Sequence, residues 1–241
     1  MKRLLSALAF AALTAGCATT QQVALDQAGR AGYCPFMGAA LCAKLEPTGE
    51  PSRFSSGAPD TSRALLRYVD ANAKWTTYNS VMIQPVTFWA DDDSKISPKE
   101  QHDLTNFFHQ TLEKQLGTKY TVVTDPAAGV MRVQVAIDDA DSATPVLRTI
   151  SMLIPQARAL ATLKFLATGT YPFVGSVQAE AKITDSMTGQ VLAAAVDRRV
   201  GGGALRTAAQ WQLGDAENAI SAWSQQMADR LSSWTSGTAK P

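Results

Sequence analysis

The side chains able to do chemistry in this chain are few and poorly spaced for it. The two histidines, His102 and His109, stand seven residues apart, which on a helix gives one face with roughly 10 Å of rise between them. That is too far for one shared metal ion, so a solvated helix face is expected. Asp91-Asp92-Asp93 has the oxygens a hard cation takes, but not the spaced ligands and turn glycine of a calcium loop. Its expected work is to keep a loop soluble and to favour the positive end of the following helix. Asp138, Asp139 and Asp141 follow one strand, and Asp197 lies near the end of another. Paired carboxylates there could move protons, yet nothing sets two at working distance, and solvated acids are the plainer reading. Arg198-Arg199, beside Gly201-Gly202-Gly203, could clamp an anion, a phospholipid headgroup or a partner; surface ion pairs are the plainer alternative. The chain has no Gly-x-Ser-x-Gly elbow, phosphate loop or dinucleotide fingerprint. The expectation is no enzyme, no metal and no cofactor.

The three cysteines divide by position. Lys2 and Arg3, an apolar run from Leu4 to Leu13 broken only by Ser6, and small Ala15 and Gly16 have the three parts of a secretory leader. The run is well short of the ~20 residues that span a bilayer. Leu13-Thr14-Ala15-Gly16-Cys17 resembles the lipobox of bacterial lipoproteins, with Thr14 where that family usually has leucine. The resemblance implies cleavage before Cys17, a diacylglyceryl thioether on its sulfur and an acylated amino group; the alternative is cleavage beside Ala15, leaving a free thiol. One acyl chain binds a membrane marginally, whereas three make desorption negligible. Ala18, rather than aspartate, implies forwarding to the outer membrane with the domain facing the periplasm. In that oxidising compartment Cys34 and Cys42 are expected to form a local disulfide around Pro35-Phe36-Met37-Gly38, the rival being separate thiols. Two cysteines alone make no structural zinc site.

Composition narrows the classes further. Losing residues 1–16 takes Lys2 and Arg3 from a balance of 22 basic to 21 acidic side chains, so the mature chain carries about one net negative charge. There is no electrostatic case for nucleic acid. Apolar residues at 46%, with five Trp and eight Phe, can fill a core.

Along the chain, residues 17–62 are rich in turn-forming residues (Pro47-Thr48-Gly49-Glu50-Pro51, Ser55-Ser56-Gly57) and read as a lipidated tether. Tyr33 to Leu45 is apolar enough to dock, and the coil would span roughly 35 Å. A single periplasmic domain is expected over 63–236, with a disordered tail at 237–241. Leu66 to Val69 reads as an edge strand, and Val81 to Trp89 as a strand with Pro85 marking an edge or bulge. Ser97-Pro98-Lys99-Glu100 opens a helix with a capping box. Leu104, Phe107, Phe108, Leu112 and Leu116 then recur at helical spacing before Gly117. Strands follow at Tyr120–Thr124 and Val130–Ile137, and a hairpin pairs Val177–Ile183 with Val191–Val200 across Asp185 to Gln190. Ala216, Ile220, Trp223, Met227, Leu231 and Trp234 stripe a last helix. The order predicts an α+β fold, a largely antiparallel or mixed sheet with helices packed mainly on one face. Residues 145–167, with Leu147, Ile150, Leu153 and Leu163 among their apolar side chains, predict a helical hairpin divided at Pro155. It is either buried on the sheet or an apolar surface for a partner or the membrane.

From Leu66 onward the chain resembles domain-of-unknown-function family 3313 of bacterial lipoproteins. The carrying residues are Leu66-Arg67-Tyr68-Val69, Tyr78 through Val86, Val174 to Glu180, Thr184-Asp185-Ser186 and Gly189 through Arg199, with Trp211, Asp215 and Trp223. The resemblance implies a lipid-anchored envelope protein and supplies no catalytic residue. The expected role is a non-catalytic periplasmic domain that binds another envelope component, protein or glycan, while the membrane is held through Cys17. The alternative is a carrier or sensor of a small lipid-like ligand.

Overall fold

This computed structural model describes residues 20–22, 25, 33–48, 63–89, 96–141, 176–201 and 214–241. In chain order they form β1 (Thr20–Gln22), helical residues 33–37, α1 (Ala39–Cys42), β2 (Glu46–Pro47), β3 (Leu66–Val69) and a 3-10 turn at Trp75–Thr77. Then come β4 (Ser80–Ile83), β5 (Thr87–Phe88), α2 (Pro98–Leu116), β6 (Thr121–Val122), β7 (Val130–Asp141), β8 (Ser176–Asp185), β9 (Val191–Gly201) and α3 (Gly214–Thr235).

One mixed sheet runs β2-β3-β9-β8-β7-β4-β6, with β1 added to β9 and β5 to β7. The long central strands β7, β8 and β9 are antiparallel, while β4 and β5 lie parallel to β7. Pro85 interrupts the expected strand from Val81 to Trp89. Proline has no amide hydrogen for the ladder, and β4 and β5 flank the gap as two short pieces on the same neighbour.

Alternation along the strands sorts side chains between two faces. Val133, Val135 and Ile137 of β7, Val177, Ala179 and Ile183 of β8, and Ala193 of β9 share a core with the helices. Onto this face α2 lays Leu104, Phe108, Leu112 and Leu116, and α3 lays Ala219, Ile220, Trp223, Leu231 and Trp234. The α2 start is built as its sequence predicts: the Ser97 side chain accepts from the Glu100 amide and Glu100 accepts from the Ser97 amide. The fold is thus α+β, with α2 and α3, the two long helices among the described residues, together on one face.

The other face holds a second, smaller core: Ala194 and Val196 of β9 with Leu25, Met37, Leu41 and Leu65. Part of the N-terminal segment lies on this face. Cys34 and Cys42 are disulfide-bonded, and the apolar turns they bracket dock on the sheet. Thr20–Gln22 is itself a strand, paired to Arg199–Gly201. At the other terminus, Gly237 has φ 70°, and the amides of Gly237, Thr238 and Ala239 donate back to Trp234 and Ser233. A left-handed glycine after a helix permits such a cap, which ties residues 237–239 to α3 where a free tail is expected from sequence.

Candidate ligand cavity

Alanines make the space. Ala179 and Ala181 of β8 and Ala193 and Ala195 of β9 face α3, with Ala181 directly opposite Ala195. Their methyl groups cannot reach a helix held off by larger neighbours, and a cavity of about 140 Å³ remains between sheet and helix. Trp223, Met227, Leu231 and Trp234 of α3, Phe108 of α2 and Val135 of β7 close its other walls. On the β3 side the lining changes character: it includes Arg67 of β3, Arg63 just before it and Arg230 of α3. An apolar hollow of this size accepts a group about as large as a benzene ring, and Arg67 favours an anionic substituent on it.

One end of the hollow is fixed by Asp197. The residue is 5% exposed, and its carboxylate accepts from Trp223 Nε1 at 2.6 Å, Arg199 Nε at 3.2 Å and Gln22 Nε2. Arg199 also donates from Nη2 to Gln226 at 3.1 Å, and its guanidinium lies 5.7 Å from the Trp223 ring centre. Trp223 stacks on Phe108 with ring centres 6.2 Å apart. Burial raises the carboxyl's proton affinity, and Arg199, Trp223 and Gln22 act against that shift. A group so engaged is an anchor for α3 and β1 on β9.

A second carboxylate cluster lies on the opposite face. Gln178 donates to Asp138 at 2.8 Å and to Glu180 Oε1 at 3.3 Å. Glu180 is 1% exposed, and its Oε2 lacks a hydrogen-bond partner. Burial first, and the charge of Asp138 second, push its pKa up to about 8. Near it Lys182 donates to the Phe36 carbonyl and sits over the Phe36 ring, which packs edge-on to Trp89.

These placements correct several sequence expectations. Arg198 and Arg199 do not form a joint clamp, because consecutive strand residues point to opposite faces. Arg199 is buried under α3, and Arg198 pairs across the sheet from Gln178. For the same reason Asp138 and Asp197 stand on opposite sides of the sheet and share no site. Asp197, expected as a solvated acid, is buried. His102 is exposed and bonded to Asn106, whereas His109 faces Glu113 at 3.4 Å; neither lines the cavity. Among the described residues no three His, Cys, Asp or Glu side chains gather as a metal site. Cys17, Asp91 to Asp93, Asp139 and Asp141 as side chains, and Leu147, Ile150, Leu153 and Leu163 lie outside what the structure describes. The cavity itself escaped the sequence reading. Its one signal was alanine at alternate positions of two strands that a hairpin must pair, Ala179 and Ala181 against Ala195 and Ala193.

Residues 50–227 match the model of a family described as Protein of unknown function (DUF3313). No curated protein matches the chain. Among solved structures it is similar to the PelC dodecamer from Paraburkholderia phytofirmans, at 13% identity over 67% of this chain and 94% of that one, with a TM-score of 0.38. It is also similar to a DUF330 protein from Xanthomonas campestris, at 11% identity over 71% and 96%, with a TM-score of 0.37. Likenesses at that distance say nothing about what this chain binds.

Proposed function

The chain belongs to the DUF3313 family of proteins of unknown function, and we propose that it is a non-catalytic, lipid-anchored envelope protein that holds a small anionic amphiphile between sheet and helix. The lipid is carried on Cys17 and the domain faces the periplasm from the outer membrane. The observation that carries the binding reading is the alanine-floored cavity with Arg67 on its wall. The apolar end of the ligand lies among Ala181, Ala195 and Met227, and its anionic end faces Arg67. A non-catalytic role is supported by the engagement of Asp197 with Arg199, Trp223 and Gln22 and by the position of the Asp138 and Glu180 side chains on the other face. Docking of an envelope protein or glycan, the other reading, draws on exposed Trp89 and Met187, which offer no comparable enclosure.

Hexanoate is a suitable probe. Burying five or six carbons at about 0.8 kcal/mol each gives roughly 4 kcal/mol, a dissociation constant on the order of millimolar. In indole-nitrogen NMR, hexanoate should shift the signals of Trp223 and Trp234 and leave that of Trp89 in place. Arg67→Ala should weaken hexanoate about tenfold, the value of one charge-assisted contact near 1.5 kcal/mol, and leave hexanol unchanged. Absence of any shift at Trp223 and Trp234 at saturating probe would remove the proposal.

A further inference from the structure

The register of β1 limits how far the domain can stand from a lipid on Cys17. Thr20 pairs with Gly201, Gln21 with Val200 and Gln22 with Arg199. The pairing is locked by the Gln22 side chain, which donates to the Arg63 carbonyl at 2.6 Å and to Asp197 inside the core. Only three peptide links separate Cys17 from Thr20, a reach of at most roughly 11 Å fully extended. A 40-residue coil spanning roughly 35 Å is therefore replaced by a short leash fixed to the edge of the sheet.

Three other strand ends share that edge. Val200, beside Gly201, pairs with Ser176, and Ser176 pairs with Asp141. Adjacent strands lie about 4.8 Å apart, so Thr20, Gly201, Ser176 and Asp141 form a row roughly 15 Å long. At the far end of β8 and β9 is the turn from Ser186 to Gln190, with Met187 and Thr188 exposed. Eleven residues of β9 put it roughly 33 Å away. The C-terminal end of α3 belongs to that far end too, since Thr235 bonds Tyr120 next to β6. The first turn of α3 belongs to the near end, because Trp223 is bonded to Asp197 and the helix runs back toward Gly214.

We infer that the row of strand ends at Thr20, Gly201, Ser176 and Asp141 is the membrane-facing surface of the domain, its partner being the headgroup layer that holds the lipid on Cys17. The turn from Ser186 to Gln190 and the C-terminus then point away from the bilayer. The inference rests on the anchor reading of Cys17 and adds an orientation to it.

The test uses the full chain, acylated in cells and reconstituted into phosphatidylethanolamine–phosphatidylglycerol vesicles with an acceptor dye on the headgroups. Donor dyes are placed singly through Glu217→Cys, in the exposed first turn of α3, and Thr188→Cys, in the far turn; Cys34 and Cys42 are tied in their disulfide. Energy transfer should place the Glu217 label nearer the headgroups by roughly 30 Å, the length of β9. Inserting a flexible Gly-Ser stretch between Ala18 and Thr19 should erase most of that difference. Equal heights or the reverse order on acylated protein would overturn the orientation alone. A Cys17 peptide without the acyl mass would overturn the anchor reading and the orientation with it.

Discussion

Asp197→Ala removes one carboxylate but leaves Arg199, Trp223 Nε1 and Gln22 Nε2 facing a gap. Because Arg199 is 3% exposed, breaking this buried pair should cost about 3–5 kcal/mol, readable as a shift in a urea unfolding curve. Asp197→Asn keeps an acceptor and the shape and should lose less. Across the sheet, Glu180 makes a prediction of a different kind. Its pKa of about 8 in the fold stands above the ordinary 4.5, so between those values the folded state keeps a proton that the unfolded chain releases. Stability from this group is fully present below pH 4.5 and is lost as pH rises through 8. Asp197, also raised by burial, acts with the same sign. The melting temperature should therefore fall from pH 5 to pH 8.5. Glu180→Gln, which retains the Gln178 contact without the charge, should flatten that slope and raise stability at the alkaline end; an unchanged slope would refute the assignment. Neither carboxylate was legible as buried in the sequence, where Asp197-Arg198-Arg199 looks like any charged strand end. What decides each residue is the face its strand position gives it.

Elements were legible in proportion to how local their causes are. The start of α2 is written in four consecutive residues, and its end in Gly117, where a Cβ would come 2.7 Å from the Glu113 carbonyl oxygen. The β8–β9 hairpin was equally plain, since Asp185 caps its own turn by accepting from the Met187 and Thr188 amides. β1 was not readable. Three residues of Thr-Gln-Gln have no alternation, and their strand exists because Gln22 bonds a carboxylate 175 positions away. The docked turns between Cys34 and Cys42 fall between these cases: the apolar residues were visible, the sheet face receiving them was not. That disulfide closes a loop of sequence separation 8, for which chain entropy gives about 2–3 kcal/mol. Reduction should lower the melting temperature by roughly 5–10 °C, at 2–4 °C per kcal/mol for a domain of this size. Far-UV helicity should hardly change at room temperature, because α2 and α3 pack on the other face. A large loss of helicity on reduction would mean that the two cores are not separable.

At the scale of the whole molecule, the sheet is a partition with different work on its two sides. One side takes the N-terminal turns and a buried Gln178–Glu180–Asp138 cluster; the other takes both long helices and leaves a hollow beneath α3. A void in a core forfeits dispersion contacts and is ordinarily destabilising, so a protein that keeps one under its last helix is either filling it with a ligand or losing stability. Ala195→Leu separates these. The added three carbons enter space that is already open, between Ala181 and Arg67 in register. At about 0.8 kcal/mol per buried carbon they should add up to roughly 2 kcal/mol, or a rise in melting temperature of about 4–8 °C. The same substitution occupies the volume that hexanoate needs, so the Trp223 and Trp234 indole shifts should vanish as the protein becomes more stable. Stability and binding moving in opposite directions is the signature of a space kept open for a ligand. If Ala195→Leu instead destabilises the fold, the region is packed too closely to admit an acyl end, and the binding reading fails at its physical premise.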